Sequence, residues 1–182
     1  MSNEIKQDEL IKVVIMGLEN AGKSTIVDVL TQKIRYDQLT PPDMYPTKNV
    51  ERTTLSAKNV VVWDFGGQEI YRNEYLADPE TYLRSISFAY YVVDVQDYYR
   101  LFNSVMYFNT VLPTIIKYSP DAEIGILFHK TDPKFDPNKK NIKKIFLDKI
   151  ESFIQGRKKS IGINDTTIFE ISSIKTAFDH VK

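Results

Sequence analysis

Residues Gly17-Leu18-Glu19-Asn20-Ala21-Gly22-Lys23-Ser24 spell G-x-x-x-x-G-K-S, and they stand between an apolar run, Val13 to Met16, and a helix-patterned stretch, Ser24 to Leu30. No other feature restricts the fold as tightly. Gly17 and Gly22 let the backbone curl until successive N–H groups point at one centre, and the following helix adds its positive N-terminal dipole. Such a loop cradles phosphate. Lys23 reaches the β- and γ-phosphates as a point charge, while the Ser24 hydroxyl is placed to ligate the Mg²⁺ that bridges them.

Around this loop the chain alternates strand-like and helix-like segments. Ile11 to Met16 is almost continuously apolar, as a parallel strand covered on both faces must be, so it is expected at the centre of a sheet. Ile26, Val27, Val29 and Leu30 give the next stretch the apolar face of a helix packed on that sheet. Thr31 to Lys48, with Pro41-Pro42 and Pro46, reads as a long loop. Val50 to Leu55 and Val60 to Trp63 flank Ser56-Ala57-Lys58-Asn59 as an antiparallel hairpin. Phe88 to Val93, Ile124 to Phe128 and Thr167 to Ile171 are the remaining strand-like runs.

Asp97 is placed to cap a helix reaching Lys117, with Leu101, Phe102, Val105, Phe108, Val111, Leu112 and Ile115 at helical spacing and Pro113 expected to kink or interrupt it. Asp136-Pro137 starts a further helix to about Gln155, with Ile142, Ile145, Phe146, Ile150 and Phe153 inward. The pattern predicts an α/β fold: a mostly parallel six-stranded sheet with one antiparallel edge strand and helices on both faces. Length fits a single domain over residues 1–182, of which 1–10 form a polar N-terminal extension.

Three further motifs carry chemistry. Asp64-Phe65-Gly66-Gly67-Gln68 follows a strand directly, which puts Asp64 on the rim that also holds the phosphate loop. A carboxylate there holds Mg²⁺, normally through a water; the Gly67 N–H is suited to bond a γ-phosphate and the Gln68 amide to orient the attacking water. Thr47, after Pro46, is preferred over Thr40, Thr53 and Thr54 as a second hydroxyl on the metal. In His129-Lys130-Thr131-Asp132, Asp132 is an acceptor for guanine N1–H and its exocyclic amine, and the Lys130 stem covers the base. Adenine would set an acceptor against that carboxylate. Ser172, Ser173 and Ile174 are expected to supply backbone donors and packing at the base.

Composition narrows the function classes. Lys plus Arg and Asp plus Glu are equal at 24 each, so no global field favours nucleic acid or an anionic membrane. There is no Cys, which excludes disulfides, thiolate metal sites and a prenylated Cys within this sequence. The polar start and Ser2 in the myristoylation position give no signal peptide or lipid anchor. A cytoplasmic protein is expected, with any membrane recruitment left to a partner. The lysines at 139, 140, 143, 144 and 149 with Arg157-Lys158-Lys159 read as a solvated helix face, and His180 as solvated. Tyr71, Tyr75 and Tyr82, after Gln68, divide between core packing and partner contact.

GLENAGKS, the Thr47 loop, WDFGGQ, HKTD and the final SSI stand in the order and spacing of a Ras-like small GTPase. GLENAGKST and Pro46-Thr47 with Asn49-Val50-Glu51 resemble the Arf/Arl branch. WDFGGQE with Asn73-Glu74-Tyr75, SPDAEI, His129 and Ser172-Ser173-Ile174 resemble the Rag/Gtr branch, which has more matches. The resemblance implies a P-loop G domain that binds GTP or GDP with Mg²⁺ as cofactor and hydrolyses GTP slowly. It implies nucleotide contacts from Gly17, Leu18, Glu19, Asn20, Ala21, Gly22, Lys23, Ser24, Thr25, Thr47, Gly67, His129, Lys130, Asp132, Ser172, Ser173 and Ile174. Metal contacts fall to Ser24, Thr47 and Asp64, and catalysis to Gln68, Lys23 and Gly67. The partners implied are an exchange factor, an activating protein that supplies an arginine, and effectors at the two mobile loops, with no nucleic acid.

Departures from the pattern carry expectations of their own. His129 replaces the usual Asn and removes an amide that ties the base loop to the phosphate loop. Pro46 to Asn49 is compressed relative to Arf-like proteins. The chain stops after a short helix, Ile174 to Val181, so Rag-type pairing through a roadblock-type domain is not expected of this sequence. The rival readings are a nucleotide-dependent scaffold with negligible turnover and a P-loop ATPase or kinase, the latter disfavoured by Asp132.

Overall fold

A computed structural model describes residues 10–31, 46–55, 59–134, 141–157 and 159–181. Its strands are β1 (Ile11–Gly17), β2 (Val50–Leu55), β3 (Val60–Phe65), β4 (Phe88–Asp94), β5 (Glu123–His129) and β6 (Ile161–Thr166). They form one six-stranded sheet in the order β2-β3-β1-β4-β5-β6. Every pairing is parallel except β2 with β3, which makes β2 the antiparallel edge expected from the hairpin.

The helices are α1 (Lys23–Leu30), α2 (Glu69–Ala77), α3 (Pro79–Tyr82), α4 (Leu101–Tyr118), α5 (Ile142–Gln155) and α6 (Ile171–Ala177). Successive strand residues face opposite sides, and each side builds its own core. Val14, Met16, Tyr91, Val93, Ile126 and Phe128 meet α4 and α5 through Phe108, Val111, Leu112, Phe146 and Ile150. Val13, Ile15, Val62, Tyr90, Val92 and Leu127 meet α1 and α6 through Ile26, Val29, Ile174 and Ala177. β1, covered on both faces, is buried from Lys12 to Gly17.

Chain order reverses at β1, since the chain goes on to β3 on one side and later returns to β4 on the other. The carboxyl ends of the parallel strands therefore share one rim, with a crevice at the switch point. The loops after β1, β3, β4, β5 and β6 all open on this rim.

Several local expectations need correction. Pro113 does not interrupt α4; the carbonyl whose helical bond it removes belongs to Asn109, and both residues are on the exposed side. Asp97 caps a short 3₁₀ turn, Tyr98–Arg100, ahead of α4. Phe102 faces outward at 68% exposure, and Ser104 and Tyr107 belong to the buried face of α4 instead. Ile145 is likewise exposed. Asp136-Pro137 lie outside the described residues; α5 is capped by Asn141, whose Oδ1 accepts from Lys144 N–H at 3.0 Å.

The last strand is not Thr167 to Ile171 but Ile161–Thr166, and the final helix starts at Ile171 rather than Ile174. Gly162, Asn164 and Asp165 hide β6 from a hydrophobic pattern, yet its backbone pairs with β5 from Ile161 to Thr166. Such a strand is dictated by its partner rather than by propensity. Tyr75 is a core residue at 0% exposure. His180, though exposed, shares a 3.0 Å hydrogen bond with Tyr90 Oη. No helix among the described residues is long and apolar enough to cross a membrane.

Candidate functional site

The phosphate-type loop follows β1 without a break, and Gly22 is the N-cap of α1, with no side-chain cap. A helix start without a side-chain cap is suited to serve an anion in the hollow of the loop. Gly22 sits at φ 90°, and a Cβ there would lie 2.4 Å from His129 Cδ2. Only glycine lets the imidazole ring pack so closely on this loop. Lys23 is buried and donates from Nζ to the Leu18 carbonyl at 2.8 Å. Burial lowers its pKa to about 8, opposed by the nearby Asp64 carboxylate; phosphate oxygens beside it would favour the charged form.

Three segments distant in sequence meet over the start of α1. Ser24 Oγ donates to Asp64 Oδ2 at 2.5 Å, Thr47 Oγ1 donates to the same oxygen at 3.0 Å, and the two hydroxyl oxygens are 2.7 Å apart. Asp64 Oδ1 is buried without a hydrogen-bond partner. Burial pushes the Asp64 carboxyl up, with the Ser24 hydrogen bond as the chief opposing influence. A buried orphan carboxylate oxygen beside two hydroxyls is a hard, all-oxygen donor set, and it fits Mg²⁺.

Gly67 closes over the loop. Its carbonyl accepts from Glu19 N–H at 3.2 Å, and a Cβ there would stand 2.2 Å from Glu19 N and 2.4 Å from the Leu18 carbonyl carbon. Gln68 follows as the N-cap of α2, its carbonyl accepting from Tyr71 and Arg72 N–H. The segments bearing Thr47 and Gly67 are also tied to each other, because the Asn49 carbonyl accepts from Gly66 N–H and from Tyr75 Oη–H, both at 2.7 Å.

On the other side of the loop stands His129-Lys130-Thr131-Asp132. His129 is buried at 2% exposure and shares a 2.9 Å hydrogen bond between Nδ1 and Thr166 Oγ1. Burial, reinforced by Lys130, lowers its pKa to about 4, so the ring is neutral. The expected loss of a tie to the phosphate loop is made good by the ring itself against Gly22. A second tie comes from Lys130, whose Nζ donates to the Asn20 carbonyl at 2.7 Å and to Asp94 Oδ2 at 2.6 Å.

Asp132 accepts from Thr167 Oγ1 at 2.8 Å on Oδ1 and from Gln96 Nε2 at 2.9 Å on Oδ2. Ser172, Ser173 and Ile174 lie in the first turn of α6. Ser173 acts one step back, its Oγ accepting from Thr167 N–H at 3.0 Å. β6 ends at Thr166, and Thr167 directly after it reaches Asp132. Sequence reasoning missed Thr166, Thr167, Gln96 and Asp94, and only Thr167 carried a signal, as part of the run read as the last strand.

The Gtr1/RagA G protein conserved region matches this chain over residues 12–181. ADP-ribosylation factor-like protein 8b of Arabidopsis thaliana is 36% identical over 85 residues, 46% of this chain and 41% of that protein. GTP-binding protein GTR1 of Saccharomyces cerevisiae is 26% identical over 125 residues, 66% of this chain and 39% of that protein. The matched stretch thus spans less than half the length of either relative. Among solved structures, the Arl6 BBS3 small GTPase of Trypanosoma brucei with bound GppNp superposes with a TM-score of 0.68 at 20% identity, covering 93% of each chain. At that identity the likeness shows a shared fold.

Proposed function

Because the chain belongs to the Gtr1/RagA G protein family, we propose that it is a guanine-nucleotide switch that hydrolyses GTP to GDP and phosphate. The observation that carries the reading is the meeting of Ser24, Thr47 and Asp64 at the start of α1, with Asp64 Oδ1 unpartnered. Ser24 and Thr47 would hold Mg²⁺ directly and Asp64 through a water. When bound, the metal would supply charge neutralisation across the β- and γ-phosphate oxygens.

The chain's own residues do the rest. Lys23 and the N–H groups opening α1 bind the phosphates, and Gly67 N–H bonds the γ-phosphate. The Gln68 amide orients the attacking water, and Asp132 reads the base. Loss of the γ-phosphate releases Thr47 and Gly67 together, because both segments are fastened to the Asn49 carbonyl. That paired release is the output of the switch.

Turnover is slow without a partner. Arg35 lies outside the described residues, and Arg52 lies over the Trp63 ring at 4.0 Å. Arg72 and Arg100 stand near enough to Lys23 to oppose its charge. Arg100, however, is held by Asp97 and Glu19, and Arg72 lies over the Tyr107 ring at 4.9 Å. A lone rate on the order of 10⁻⁴ to 10⁻³ s⁻¹ follows, to which a partner's arginine would add roughly 10³- to 10⁵-fold.

Single-turnover hydrolysis of GTP by wild-type protein and Gln68→Leu tests this reading, together with competition by ATP. Hydrolysis that is lost in the variant while GTP affinity is kept supports it. Equal binding of ATP, or turnover indifferent to Gln68, overturns it.

A further inference from the structure

Asp132 is a carboxylate held by two donors, one on each oxygen, and the donors come from two different loops. Thr167, after β6, takes Oδ1 at 2.8 Å; Gln96, after β4, takes Oδ2 at 2.9 Å. The Gln96 amide uses its second N–H on the Lys130 carbonyl at 2.8 Å, so one side chain spans the backbone of the base loop and the carboxylate two residues on. Lys130 itself sits in the left-handed region, at φ 67°, and its Nζ is fastened to Asn20 and Asp94. The Gln96 backbone is pinned as well, with its N–H donating to Asp94 Oδ1 at 2.8 Å. The clamp is therefore anchored at both ends.

A carboxylate offers about four lone-pair sites over its two oxygens. With one site on each oxygen occupied, one remains on each, and the plane of the group is set. Terminal carboxylate torsions are otherwise broad and only weakly restrained. Guanine presents two adjacent donors, N1–H and the 2-amino group, and these need both oxygens of one carboxylate held in a fixed plane. Hypoxanthine keeps N1–H but lacks the 2-amino group, so it uses one oxygen and tolerates rotation better.

We infer that Gln96 is a positioning residue for base selectivity: by bridging the Lys130 carbonyl and Asp132 Oδ2, it holds the carboxylate in the plane that accepts both donors of guanine. The inference rests on the reading of Asp132 as the base acceptor. The hydrogen bonds of Gln96 go to Asp94, Lys130 and Asp132, not to the phosphate loop or the Ser24-Thr47-Asp64 cluster. Its contribution belongs to discrimination between purines, not to phosphate binding or hydrolysis.

The test measures GDP and IDP affinity, in Mg²⁺, for wild-type protein, Gln96→Met, Asp132→Ala and the double variant. Methionine keeps the length of the side chain and removes both N–H groups, and because Gln96 is exposed the change opens no core. Gln96→Met is expected to weaken GDP on the order of tenfold and IDP clearly less, so that the GDP-to-IDP ratio falls. In the Asp132→Ala background the same substitution should change neither nucleotide, since there is no carboxylate left to hold.

Equal weakening of GDP and IDP by Gln96→Met, or an undiminished effect in the Asp132→Ala background, would reduce Gln96 to general loop support and overturn the inference. GDP affinity unchanged by Asp132→Ala alone would instead overturn the reading of the base site, and the inference with it.

Discussion

Replacing His129 by asparagine is expected to remove much of the stability this protein loses between pH 7 and pH 5. The ring is 2% exposed and is packed on Gly22 and Thr166. Burial, chiefly, lowers its pKa from 6.5 to about 4 in the folded protein. Between those two values the unfolded chain binds a proton that the folded chain refuses, so stability falls as pH falls through that window. Below the folded value both states are protonated and the loss is complete.

A shift of this size corresponds to roughly 3 kcal/mol in all, of which about 2 kcal/mol appears between pH 7 and pH 5. Urea unfolding midpoints at fixed GDP and Mg²⁺ would measure it for wild type and for His129→Asn. The carboxylates and His180 are common to both proteins, so the difference between the two pH dependences isolates the ring. A variant that loses as much stability as wild type over this range would refute the argument that His129 is buried uncharged.

Three further outcomes follow from the site. Asp132→Asn exchanges an acceptor for a group that donates, so preference should move from GTP toward XTP in competition binding; unchanged GTP preference would remove Asp132 from the base site. Ser24→Asn should weaken GTP with Mg²⁺ more than GDP, because the triphosphate uses the metal to bridge two phosphates, and equal loss in titrations of both nucleotides would argue against Ser24 as a ligand. Gly67→Ala places a methyl 2.2 Å from the Glu19 nitrogen, where backbone on both sides forces the loops apart. It should cost GTP on the order of tenfold in affinity and spare GDP, which has no γ-phosphate for Gly67 to meet; equal weakening of both would count against that contact.

What could be read from the chain alone were the features whose cause is local. The apolar run before Gly17 and the helical spacing after Ser24 need no partner to be recognised, and the glycines of a phosphate loop answer to backbone conformation at their own positions. The hairpin of β2 and β3 and the order of the motifs along the rim were legible for the same reason. So was the parallel sheet, because strands joined by helical crossovers have few other ways to pair.

Tertiary structure decided what depends on a neighbour. β6, interrupted by Gly162, Asn164 and Asp165, takes its bounds from pairing with β5; that placement brings Thr167 to Asp132. Phe102 keeps helical spacing with the core residues of α4 yet faces water, because a period gives the width of a face but not its edge. His129 looked like the loss of a tie and proved to be a tie, since the close approach of its ring to Gly22 exists only once β1 and β5 stand on either side of β4. Gln96 carries no motif at all. Its role depends on two acceptors, Lys130 O and Asp132 Oδ2, that the chain brings within 2.9 Å of its amide across more than thirty residues, and no reading of local pattern registers a contact made at that range.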